Sequence, residues 1–114
     1  MAYDEKLAAR VRRILDRNDI EEKRMMGGLT FMVGGHMCCG VTGFDLMVRL
    51  GEKGAAEAVK EARVRPMDFT GKPLKAFVFV AAGGIGTDGA LRSWVGRALR
   101  FVETLPPKTA RPSA

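Results

Sequence analysis

The stretch Arg24-Met25-Met26-Gly27-Gly28-Leu29-Thr30-Phe31-Met32-Val33-Gly34-Gly35-His36-Met37-Cys38-Cys39-Gly40-Val41 decides the fold. It reads as extended chain, a Gly-Gly corner, and extended chain again. A two-residue glycine link between apolar runs signals a hairpin, because the turns that match strand twist need positive φ. Gly34-Gly35 is therefore predicted to close a hairpin with arms over 22–33 and 36–42. Gly27-Gly28 falls inside the first arm, where a glycine pair marks a bulge or a close approach of another backbone.

Outward from this hairpin, 44–50 reads as a third strand: Asp45, Met47 and Arg49 alternate with Leu46, Val48 and Leu50, the pattern of a half-buried strand. Residues 64–69 form a fourth, and Pro66 suits an edge because it donates nothing to a ladder. The run Phe77-Val78-Phe79-Val80, within 76–81, is apolar on both faces and belongs at the centre. A first helix is predicted over 4–18, with Asp4 as N-cap and Leu7, Val11, Ile14 and Leu15 as one apolar stripe. Residues 51–54 read as a loop and 55–62 as a short Ala- and Glu-rich helix. The last helix, over 88–104, carries Leu91, Trp94, Val95, Ala98, Leu99 and Val102 at helical spacing. The order α-β-β-β-α-β-β-α predicts an α+β fold, a single antiparallel sheet of about five strands with helices packed on it.

The 114 residues suit one domain, placed over 1–105, with 106–114 after Pro106 as a flexible tail. No apolar run approaches the ~20 residues of a membrane helix. The start, Met1-Ala2-Tyr3-Asp4-Glu5-Lys6, lacks an apolar signal core, so a cytoplasmic setting is expected. The two cysteines, Cys38 and Cys39, are adjacent; neighbours on a strand point to opposite faces, which argues against a bridge between them. The formal net charge of +6 favours anionic partners.

Several pieces, taken together, resemble the N-terminal domain of the TfoX (Sxy) family. They are Tyr3-Asp4, Lys23-Arg24-Met25-Met26-Gly27-Gly28-Leu29, Phe31, Gly34-Gly35, Gly40-Val41, Leu46-Met47-Val48-Arg49, Pro66-Met67, Gly71-Lys72-Pro73-Leu74-Lys75, the run from Phe77 to Val80, Leu91, Trp94-Val95 and Leu105-Pro106. Met26 departs from the family pattern, which usually has Phe there. The resemblance implies a compact sheet-and-helix domain linked to competence regulation, with no catalytic residue to carry over.

The candidate sites follow. Gly84-Ile85-Gly86-Thr87-Asp88-Gly89 satisfies G-x-G-x-x-G, but no strand follows the last helix to complete a dinucleotide unit; a loop with Thr87 or Asp88 as N-cap is expected. His36 and Cys38 share a strand face, yet a structural zinc wants four ligands, so no metal is assigned. No catalytic residue and no cofactor are assigned: the one histidine has no evident orienting partner. Lys6, Arg10, Arg13 and Arg17 make a basic stripe on the first helix and are the candidate phosphate contacts; Arg63, Arg65, Lys72 and Lys75, near the second hairpin, could add to them. Gly71, Lys72, Pro73 and Lys75, a turn stiffened by proline, and Met25 and Met26, of a Met-rich hairpin, are the candidate partner contacts. The expectation is a non-enzymatic regulatory module acting through protein contacts, as a homodimer with an unknown regulatory protein partner. The alternative is a weak, sequence-independent nucleic-acid binder in transcription regulation.

Overall fold

Gly34 and Gly35 take φ of +59° and +85°, and the hairpin they close pairs Val33 with His36. This is the positive-φ, two-residue turn that glycine adopts without steric cost. The computed structural model describes residues 3–16, 19–25, 27–69 and 72–106. Within them the chain runs α1 (Glu5–Ile14), β1 (Ile20–Met25), β2 (Gly28–Val33), β3 (His36–Thr42), β4 (Asp45–Arg49), α2 (Gly51–Ala58), β5 (Val64–Phe69), β6 (Lys72–Val80), a 3₁₀ turn (Ala82–Gly84) and α3 (Asp88–Val102). The fold is α+β with one six-stranded sheet, ordered β1-β2-β3-β4-β6-β5, in which every neighbouring pair is antiparallel. Pro66 lies in the edge strand β5, and the apolar run lies in β6, between β4 and β5.

The sixth strand comes from the arm over 22–33. The chain reverses at Gly27 (φ +75°), and Met25 pairs with Gly28, so the arm is two strands joined by a second tight turn. The close approach expected at the glycine pair is also present: a Cβ on Gly28 would overlap the carbonyl oxygen of Val41.

Three boundaries move for physical reasons. Helix α1 ends at Ile14, short of the expected 18, because Leu15 leaves the helical region (φ −90°, ψ 53°) while its N–H still bonds to Val11. The remainder of that expectation, Arg17 and Asn18, lies outside the described residues, as does the tail beyond Pro106. Helix α2 spans Gly51–Ala58 against the expected 55–62: it starts at Gly51, where the glycines suggested a loop, because burial of Leu50, Ala55 and Ala58 outweighs their low propensity, and past the Val59 cap the Lys60 and Glu61 amides bond three residues back in a tightened turn. The hairpin β5–β6 is longer than 76–81 implied, because Lys72 already pairs with Phe69.

The register lines up two apolar rows across the sheet. Leu29, Val41, Leu46 and Val80 form one; Phe31, Cys39, Val48 and Val78 form the other. Both rows share a core with Leu7, Val11 and Leu15 of the first helical stretch, Ala55 and Ala58 of α2, and Leu91, Trp94, Val95, Ala98 and Val102 of α3. Asp4 caps α1 through its side chain, which accepts from the Lys6 amide, and its own amide donates to Gly43. The row on the opposite face is Thr30, Gly40, Met47 and Phe79; Thr30 and Met47 are buried there, outside that core. The middle of β4 is thus buried on both faces, more than its alternation implied.

Gly28→Ala should destabilise the protein by about 2 kcal/mol or more, since backbone rather than a mobile side chain occupies the new methyl's place. Urea unfolding of the variant against wild type measures this.

Candidate functional site

The basic stripe on α1 is not one uniform surface. Lys6 and Arg13 are exposed. Arg10 is turned inward, its Nη2 donating to the Ile85 carbonyl at 2.9 Å and lying 3.4 Å from the Asp88 carboxylate. Arg10, Arg13 and Ile14 line a cleft of about 170 Å³ with Asp88 and Arg92 of α3. Arg92 was absent from the sequence expectation, and its only signal is helical: it stands one turn after Asp88. Arg17 lies outside the described residues. Arg12, off the stripe, holds Glu22 of β1 through two bonds of 2.5 and 2.8 Å. That hydrogen-bonded pairing raises the Arg12 pKa and lowers that of Glu22.

Three further arginines lie against neighbouring groups of the fold. Arg65 pairs with Asp45 at 2.6 Å and covers the Phe79 ring at 4.8 Å. The Arg63 side chain lies against Gly83. Arg97 pairs with Glu61 at 3.0 Å and stacks on Trp94 at 4.0 Å.

The candidate partner contacts fall in two separate places. Lys75 is exposed and lines an apolar groove of about 360 Å³ between α2 and the β5–β6 hairpin. Ala55, Ala56 and Val59 form its helical wall, Met67, Leu74 and Phe77 its sheet wall, and Glu52 its other charged margin. Lys72 and Pro73 belong to β6, while Gly71 lies outside the described residues. Met25 is half-buried on the edge strand β1, and Met26 also lies outside them. Strands β2, β3 and β4 separate β1 from β6, roughly 19 Å at ordinary strand spacing. One surface therefore does not join Met25 to Lys75. The α2 wall was missed because it is written in small residues, which carry no chemical signal in a sequence.

The adjacent cysteines are not bridged, as expected, but they do not keep to opposite faces. The β2–β3 register shifts between Phe31 and Met32: Phe31 pairs with Cys39 and Met32 with Met37, so Cys38 is an extra residue. Such a bulge breaks strict alternation, and both free thiols are buried in the core. Hydrogen bonding to Cys38, and then burial, push the Cys39 thiol well above its ordinary pKa. His36 sits at the hairpin turn, with Nε2 2.5 Å from the Pro106 carbonyl. Among the described residues no group of three or more His, Cys, Asp or Glu could hold a metal ion. In the glycine-rich loop, Thr87 is the N-cap, accepting from the Ala90 amide at 3.1 Å, and Ile85 is buried. No described helix is long and apolar enough to cross a membrane.

These features define a class: small α+β domains built on one antiparallel sheet, with surface clefts at its helix margins. The family model of the TfoX N-terminal domain matches residues 13–102, most of the chain, and the protein belongs to that family. No curated protein and no solved structure matches the chain.

Two outcomes follow from the electrostatics. Glu22 has a depressed folded-state pKa, so its contribution is complete above the unfolded value of about 4.3 and is lost as pH falls through the folded one. Wild type should therefore lose stability below that pH more steeply than Glu22→Gln in acid unfolding curves. The pair is partly exposed, which holds the difference under about 1 kcal/mol. Cys38 and Cys39 should react with a disulfide reagent at neutral pH at least about a hundredfold more slowly in the native protein than after denaturation, in a timed thiol assay.

Proposed function

We propose that this chain is a non-enzymatic regulatory module of the TfoX kind that acts through protein contacts, in the cytoplasmic setting of competence and transcription control. The groove between α2 and the β5–β6 hairpin supports this most directly. Its walls are apolar and its margins carry Glu52 and Lys75. An apolar recess with a polar rim is how protein contacts seat an anchoring side chain. Membership of the family supports the regulatory setting. We further propose that the chain works as a homodimer through the half-buried methionines Met25, Met32 and Met37, whose flexible side chains suit contact surfaces.

Ala56 is exposed on the groove wall, so Ala56→Arg obstructs the groove while leaving the core alone. Crosslinked capture from the native cell should recover a partner with wild type and with Lys53→Ala, and lose it with Ala56→Arg and Lys75→Glu. An identical captured set in all four would refute the groove. Sedimentation equilibrium should report twice the 12.4 kDa chain mass. A monomer at every concentration would remove the dimer and leave the groove untouched.

A further inference from the structure

The cleft between α1 and α3 holds a charge arrangement that packing does not explain. Arg10 and Arg13 from α1 and Arg92 from α3 converge on about 170 Å³, with Asp88 as the one carboxylate. Three guanidinium groups around one cleft repel one another, a cost that an anion offsets. Arg12, Arg65 and Arg97 each have a carboxylate partner of their own. Arg13 and Arg92 have no ion-pair partner among the described residues, and both are exposed at the cleft.

Arg10 is pre-positioned. Its side chain is only 25% exposed, and its bond to the Ile85 carbonyl fixes the guanidinium at the cleft. Its contact with Asp88 is of another kind: 3.4 Å long, to a side chain 81% exposed, a geometry that binds weakly and exchanges readily. Asp88 thus stands where an anion would, as a competitor easily displaced.

We infer that this cleft is a site for a compact oxyanion, the phosphate group of a small phosphomonoester. Planar guanidinium forks match phosphate oxygens in bidentate fashion, and two or three forks enclose a dianion. The volume is several times the ~30 Å³ share of a water molecule yet below the ~300 Å³ at which drug-sized pockets begin. The cleft therefore has room for the phosphate group, and its ester substituent extends into solvent. The site shares no residue with the groove beside α2, so it stands or falls independently of the protein-contact function.

Calorimetric titration of the full chain at low salt, with inorganic phosphate and with phenyl phosphate, tests this. Wild type should bind both saturably, one per chain. Arg13→Gln and Arg92→Gln should each weaken binding about tenfold while their thermal melts stay near wild type. Asp88→Asn should strengthen it severalfold, because the competitor for Arg10 is gone; a merely structural arginine cluster gives no such gain. Absence of saturable binding, affinity unchanged in both arginine variants, or weaker binding in Asp88→Asn overturns the site. Binding of duplex DNA without binding of phenyl phosphate also overturns it, in favour of a nucleic-acid surface.

Discussion

Burial of one sheet face beneath three helices is the constraint on which the rest of the molecule depends. The rows through Leu29 and Phe31 run across four strands, and their partners are fixed by strand register. A one-residue slip in any of these strands would exchange its core-facing side chains for the Thr30, Gly40, Met47 and Phe79 face. Tight turns at Gly34-Gly35, between β2 and β3, and at Gly43, between β3 and β4, leave little latitude in pairing and hold that register. Helix α3 then covers the rows with Leu91, Trp94, Val95, Ala98 and Val102, and α1 adds Leu7 and Val11.

Both clefts are consequences of how these helices meet the sheet. Helix α2 is short and its wall is made of alanines, so it leaves open space beside β6 instead of filling it. Helices α1 and α3 pack against each other with Arg10 bound to the Ile85 carbonyl, just ahead of α3. Basic residues thereby meet at the margin of the core without entering it. The bulge at Cys38 has the opposite effect. It places both thiols inside the core, away from water, and burial of this kind disfavours the thiolate form.

Much of the fold was legible in the residues. The Gly34-Gly35 turn, the edge proline, the apolar strand at 76–81 and the Trp94 helix each follow from a local rule about φ, a missing donor or periodicity. The second turn at Gly27 was legible only as an anomaly, since one glycine pair signals a bulge, a turn or a close approach equally well. The start of α2 was hidden because Gly51 and Gly54 carry a loop signal that only tertiary burial overrides. Of the basic stripe, the sequence showed spacing but not that Arg10 is held by the Ile85 carbonyl in a cleft it shares with Arg13 and Arg92.

By itself, the sequence determined the α+β class and the antiparallel hairpins, because turn chemistry and hydrophobic period act over a few neighbouring residues; its match to the TfoX N-terminal family over residues 13–102 is likewise a property of the sequence. Tertiary structure alone decided which side chains share a cleft. Arg92 reaches Arg10 across 82 positions, Lys75 reaches Ala56 across 19, and Met25 and Lys75 end on different strands of the sheet. Such meetings depend on strand order and helix packing, which no local spacing encodes.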